Sequence, residues 1–238
     1  MEEKLSGIVL GGVAFGENDK ILNIFTLEQG VVSAKIKGVK KAGAKLKFAS
    51  EPFCFAEFLF STTASKRTVT GASLIDSFYP VREDIIKYFS AGAVLEFVKK
   101  FYRENIVSPE GFFTVINALK QIAYGNVSPL IPLIKFFLDA LKEEGHAITL
   151  DGCFCCGDDI EGRIFFDYRY GGFFCQKCFD GAGREVSIVT FNALRKIMQG
   201  EEVNGEEIIK PLKLIDYYLE NRAEETLTSL KELLKICN

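Results

Sequence analysis

Histidine is nearly missing from this chain: 238 residues hold one, His146. With so little imidazole, the commonest general base at neutral pH is gone. There is no glycine-rich Walker loop to cradle nucleotide phosphates, no G-x-S-x-G turn to carry a nucleophilic serine, and no H-x-E beside the cysteines to build a deaminase-type site. These gaps predict a protein that is not an enzyme. Long apolar runs are missing too, since Lys, Asp or Glu interrupt even the richest stretch around Phe136 and Phe137, so no membrane span is expected. Met1–Lys4 carries Glu2 and Glu3 with neither a basic region nor a long apolar one behind it, which argues against a secretory signal. A soluble, cytoplasmic protein is the expectation. Finally, 29 basic against 32 acidic side chains give a net charge of −3, so any surface for nucleic acid must be local.

What is present is an ordinary globular mixture, 48% apolar and 26% charged, which excludes a disordered chain. The length allows one large domain or two to three small ones. Of the seven cysteines, five fall between Cys153 and Cys178. An odd number clustered in a large chain points to metal and away from a disulfide framework.

Residues 1–80 read as β-structure, with short runs of Val, Ile, Phe and Thr separated by Gly and polar turns. Five strands are expected: Leu5–Phe15, Lys20–Leu27, Val31–Val39, Pro52–Phe60 and Lys66–Asp76. In the third, Val32, Ala34 and Ile36 alternate with Ser33, Lys35 and Lys37, the pattern of a strand with one wet, basic face. Five short strands suit a small closed barrel of the OB kind, and an SH3-like barrel fits the counts equally well. After Tyr79-Pro80 the period becomes helical. Arg82–Tyr102 reads as one helix or two split near Gly92. Ser108-Pro109 opens the next helix and Gly125 stops it; Ser128-Pro129 opens a third, apolar nearly all round, and Gly145 closes it. Helical patterning returns over Val189–Met198, Leu212–Leu219 and Ala223–Ile236. The expected fold is α+β: an N-terminal barrel over 1–80, and a helical domain over 81–149 and 183–238 into which a ribbon of 150–182 is inserted. That ribbon is too short and polar to hold a core of its own.

Cys153-x2-Cys156, an 18-residue gap and Cys175-x2-Cys178 form the spacing of a zinc ribbon. Two thiolates three residues apart on a tight turn can reach one ion at about 2.3 Å, and two such turns complete a tetrahedron with no open position, which makes a bound Zn2+ structural and not catalytic. Cys155 is a rival to Cys153, but only Cys153 with Cys156 keeps the two-residue spacing. His146 reads as a loop residue after Gly145, and Cys54 and Cys237 as core filler.

Between residues 31 and 50 stand six lysines, Lys35, Lys37, Lys40, Lys41, Lys45 and Lys47, and no acidic residue, which leaves the rest of the chain at −9. On a barrel strand and the loop beyond it they can track a phosphate backbone, with Lys66 and Arg67 as flanks. Phe53 and Phe55, aromatic enough to stack on bases, read as core. A protein-binding adaptor, its lysines serving an acidic partner, is the rival reading.

The order of parts resembles the bacterial RecO family of recombination mediators over essentially the whole chain. The residues that carry the likeness are GENDKILNIFTLEQGVVSAKIKG (16–38) and 150–178, with C-x2-C-G, Gly171-Gly172-Phe173 and the second C-x2-C. The family commonly has Lys-Ser-Arg near the C-terminus, where Leu227-Thr228-Ser229-Leu230 here keeps only the serine, so a role tied to those basic residues does not carry over. The resemblance implies an OB barrel, binding of single- and double-stranded DNA, strand annealing, and work with RecR and single-strand-binding protein to load RecA. It also implies a nucleoid-associated place in the bacterial cytoplasm.

Overall fold

Fourteen extended residues, β1 (Glu2–Phe15), begin the computed structural model, which describes residues 2–63, 66–203 and 207–237. β1 pairs antiparallel with β4 (Phe55–Thr63) through its first half and with β2 (Asp19–Thr26) through its second. Because its partner changes along its length as the sheet closes, β1 has to bend between the two halves. Gly7 permits this, since a Cβ there would lie 2.7 Å from Ile24 Cγ2, and a bulge between Val9 and Gly11 adds to the bend. β3 (Gly30–Ile36) follows β2, and β5 (Lys66–Asp76) pairs antiparallel with β4 and parallel with the end of β3, through Lys35 with Thr68 and Ile36 with Val69. The order β1-β2-β3-β5-β4 closes on itself as an OB-like barrel.

All five expected strands form, with altered ends. The first starts at Glu2, before Leu5. The third stops at Ile36 and not at Val39, because Gly38 turns the chain at φ 66°; the fourth starts at Phe55 and not at Pro52, because Phe53 sits at φ 68°.

The helices are α1 (Ile85–Phe101), α2 (Pro109–Tyr124), α3 (Leu130–Glu143), α4 (Ile188–Gln199), α5 (Ile209–Arg222) and α6 (Thr228–Ile236). Asp84 caps α1, its carboxylate accepting the Lys87 N–H at 2.8 Å, and Ser108 caps α2 through Gly111 N–H at 3.3 Å. α1 runs unbroken through Gly92. There the missing side chain admits Ser229 of α6, whose N–H and hydroxyl donate to Glu96 at 3.0 and 2.9 Å. α3 begins at Leu130, after Ser128-Pro129, and buries most of its surface. The helix expected from Ala223 starts only at Thr228. Glu224 at φ 55°, with the Glu225 N–H donating to the Leu219 carbonyl at 3.1 Å, ends α5 in a reversed turn. Between α3 and α4 lies a three-stranded sheet of order β7-β6-β8, made of β6 (Ile164–Asp167), β7 (Gly172–Cys175) and β8 (Arg184–Val186). An end at 182 leaves β8 out of the ribbon it belongs to.

Two apolar cores result. The barrel interior holds Leu5, Val9, Leu22, Ile24, Val32, Ala34, Ile36, Phe58, Phe60 and Val69, the inward set of each alternation. The second core takes in every helix, and also Ile8, Leu10, Phe25, Val31 and Phe53 of the barrel and Ile164, Phe166 and Phe173 of the ribbon. Phe25 meets Tyr102 and Phe112 at ring-centroid distances of 5.0 and 5.5 Å; Phe166 meets Tyr218 at 5.7 Å and Phe173 meets Phe191 at 4.8 Å. The ribbon thus borrows the core it is too small to make. Among the described residues no helix is long and apolar enough to cross a membrane.

Candidate metal centre and nucleic-acid interface

The first cysteine turn is held against the ribbon sheet by the Phe154 N–H, which donates to the Phe173 carbonyl at 2.7 Å, and is closed by Gly157 N–H to Cys153 carbonyl at 2.8 Å. Gly157 sits at φ 78°, a conformation that suits glycine. Cys175 ends β7, and the Cys178 N–H donates to its carbonyl at 3.1 Å, so the second pair sits on an equally tight turn. The sulfurs of Cys153, Cys156, Cys175 and Cys178 consequently lie within 4.8 Å of one another. A tetrahedron with bonds of ~2.3 Å has edges of about 3.8 Å, so a small contraction of this group would enclose a metal ion. Cys155 is exposed and outside the group of four; His146 takes no part in it.

Burial opposes ionisation of Cys153, yet the amides of Cys156, Cys175 and Cys155 directed at its sulfur pull the thiol down to about 6. The Cys175 N–H stands 3.4 Å from that sulfur. Cys178 is held well above the ordinary thiol range, chiefly by its hydrogen bonds to Cys175 and Cys156. Cys153 is thus the sulfur drawn toward ionisation, while Cys156, hydrogen-bonded to Cys153, is held with Cys178 above the ordinary thiol value. Cys54 is different in kind: it is buried in the barrel core, where burial raises its thiol to about 11.

The lysine-rich segment emerges from β3 onto the turn between β1 and β2. The Gly38 N–H donates to Asp19 Oδ1 at 2.8 Å and the Lys40 N–H to the Asn18 carbonyl at 3.0 Å. Val39, Leu46 and Ala49 pack on the barrel interior, while Lys37, Lys40, Lys41, Lys45 and Lys47 stay exposed. Among the described residues none of these five is in an ion pair, and neither is the exposed Lys66. Two expected members behave differently. Lys35 is bound to Asp19 at 2.8 Å. Arg67 bonds Glu3 at 3.2 Å and Asn105 at 3.3 Å and also donates to Gln29, so it ties β5 to β1 and to the turn before β3. Spacing alone shows charge, and gives no sign of a partner that neutralises it.

Phe53 is buried and Phe55, half-buried, packs against the helical core, as expected of core residues. Phe15 is 47% exposed at the end of β1. Its place at the end of the first expected strand, just before the polar Gly16-Glu17-Asn18-Asp19 turn, was the signal available in the sequence.

Comparison with known proteins agrees with this architecture. Residues 1–78 match the family described as "Recombination protein O N terminal", and residues 82–231 match "Recombination protein O C terminal". A protein of Acetivibrio thermocellus named DNA repair protein RecO is 28% identical over 236 residues, covering 95% of this chain and 94% of the relative. The protein of the same name from Bacillus subtilis is 31% identical over 180 residues, covering 76% and 70%; that from Bacillus pumilus is 31% identical over 176 residues, covering 74% and 68%. With two family matches that together run from the first barrel strand into the last helix, the chain belongs to the RecO family.

Proposed function

We propose that this chain is a DNA-binding mediator of recombinational repair that performs no covalent chemistry of its own. The observation that carries the reading is the acid-free lysine segment laid along an OB-like barrel, in a chain whose family membership supports a role in DNA repair and recombination. Its action is positional. Lysines neutralise phosphates and release counterions, so affinity is independent of base sequence and falls with salt. On this reading it binds single- and double-stranded DNA, promotes annealing, and acts with RecR to load RecA on strands coated by single-strand-binding protein, in the bacterial cytoplasm at the nucleoid. The four-cysteine group takes Zn2+ and fixes the ribbon on the helical core, with four thiolates leaving the ion no open position.

The test is a salt titration of single-strand binding. If Lys37, Lys40, Lys41, Lys45 and Lys47 each neutralise one phosphate, log K falls with log[salt] at a slope of roughly −3.5, at about −0.7 per contact. A Lys37→Ala, Lys40→Ala, Lys41→Ala variant should flatten the slope by about 2. A folded variant that keeps the full slope moves the DNA site off this surface.

A further inference from the structure

We infer that Phe15 is a base-stacking platform, and that it turns the phosphate-tracking surface of the barrel into a site that prefers single-stranded DNA. The inference rests on the DNA-binding reading above and adds to it the element a lysine surface lacks, a reason to distinguish unpaired bases from duplex.

Cross-strand register builds the site. Phe15 pairs with Asp19, and Val13 with Ile21, which in turn pairs with Lys35. The ring of Phe15 is therefore diagonal to Lys35, whose Nζ lies 4.5 Å from the ring centroid. Asp19 holds that ammonium at 2.8 Å, so one face of the ring is covered by a fixed cation. Phe15 is 47% exposed all the same, and Val13 beside it is 65% exposed. No core packing requires an aromatic residue here. Charge completes the case, since the hydrogen bonds of Gly38 and Lys40 to Asp19 and Asn18 bring the lysine segment alongside this hairpin tip. The acids here are Asp19 and Glu51, paired with Lys35 and Lys20, and Glu17 in the turn. Among other exposed aromatics, Tyr124 donates to Asp76 and Tyr79 and Tyr88 flank Glu83 and Asp84, while Phe48, 37% exposed beside Lys47, lies in the lysine segment itself.

Stacking on an aromatic ring is tolerant of base identity, and its loss costs about 5- to 150-fold per base, the equivalent of ~1 to 3 kcal/mol. A duplex keeps its bases stacked on one another and can use only the lysines. Phe15→Ala should therefore weaken binding of an oligo-dT strand by about 5- to 150-fold, leave duplex affinity as it was, and leave the salt slope unchanged. The chain contains no tryptophan, so Phe15→Trp creates a lone reporter whose emission should be quenched when oligo-dT saturates the protein. Unchanged oligo-dT affinity in Phe15→Ala together with unmoved Phe15→Trp emission, in a protein that still binds DNA in a salt-dependent way, overturns the stacking role and spares the lysine surface. If the wild-type chain shows no salt-dependent binding, both readings fall.

Discussion

Cys155 and Cys153 differ by two positions in sequence and by their whole environment in the fold. Cys153 is 3% exposed and its sulfur receives the Cys175 amide, while Cys155 points to solvent outside the group of four. Cys175→Ser should therefore release the metal and destabilise the chain, while Cys155→Ser should keep both metal content and melting temperature. Structural zinc sites carry on the order of 10 to 16 kcal/mol in small peptides. If only about 4 kcal/mol of that is folding free energy here, Tm drops by roughly 8 to 16 °C for a chain of this size. Metal analysis and a melting curve on the two variants decide the matter, and an unchanged Tm for Cys175→Ser would remove the site from the account of stability. The group of four cysteines was legible in the sequence because cysteine spacing on a tight turn is a local property. Which lysines were already paired was not, because Asp19 lies 16 residues from Lys35, and Glu3 lies 64 from Arg67, and only strand pairing brings them together.

At the scale of elements, the five barrel strands and the helix order were readable while the kind of barrel was left between OB and SH3-like, and the ends that moved did so at particular residues. Phe53 and Glu224 adopt positive φ without being glycine, so nothing in their side chains announces the turn. The contact between the start of β2 and the end of β3 has a functional consequence of the same hidden kind. The Lys35 ammonium, above all, and the Gly38 N–H hold the Asp19 carboxyl below its ordinary value. A carboxylate depressed in this way adds stability above its unfolded value and loses it only as pH falls through the lower folded one, so the pair is intact at neutral pH. It withholds Lys35 from the lysine surface. Asp19→Asn keeps an oxygen for the Gly38 N–H but releases the ammonium. Single-strand affinity should then rise and the salt slope steepen by up to about 0.7, a change opposite in sign to that of any lysine deletion. A slope equal to wild type in a filter-binding or anisotropy titration would mean that Lys35 already reaches phosphate in spite of its partner.

Over the whole molecule, the change of period at residue 80 marks a change of secondary structure, and the apolar packing ignores it. Ile8, Leu10, Phe25, Val31 and Phe53 leave the barrel on its outer side and enter the core that also holds α1, α2 and the ribbon. The Asn105 N–H donates to the Val31 carbonyl at 3.0 Å, so backbone pairing crosses the same boundary. Fully burying a side chain of this size stabilises by ~1.5 to 3 kcal/mol. Five of them together are worth about 10 kcal/mol, comparable with the net stability of an ordinary domain. A fragment of residues 1–80 would present that surface to water as one patch, while its own interior, the Leu5 to Val69 set, stayed closed. We expect the fragment to self-associate or precipitate, and Phe25→Ser with Val31→Ser in the fragment to restore a soluble, folded barrel that retains salt-dependent DNA binding. Sedimentation and circular dichroism on both fragments test this. A soluble monomeric wild-type fragment with native β-structure would show instead that the shared core is an interface between independent domains, so that the barrel folds without the body that carries the four-cysteine group.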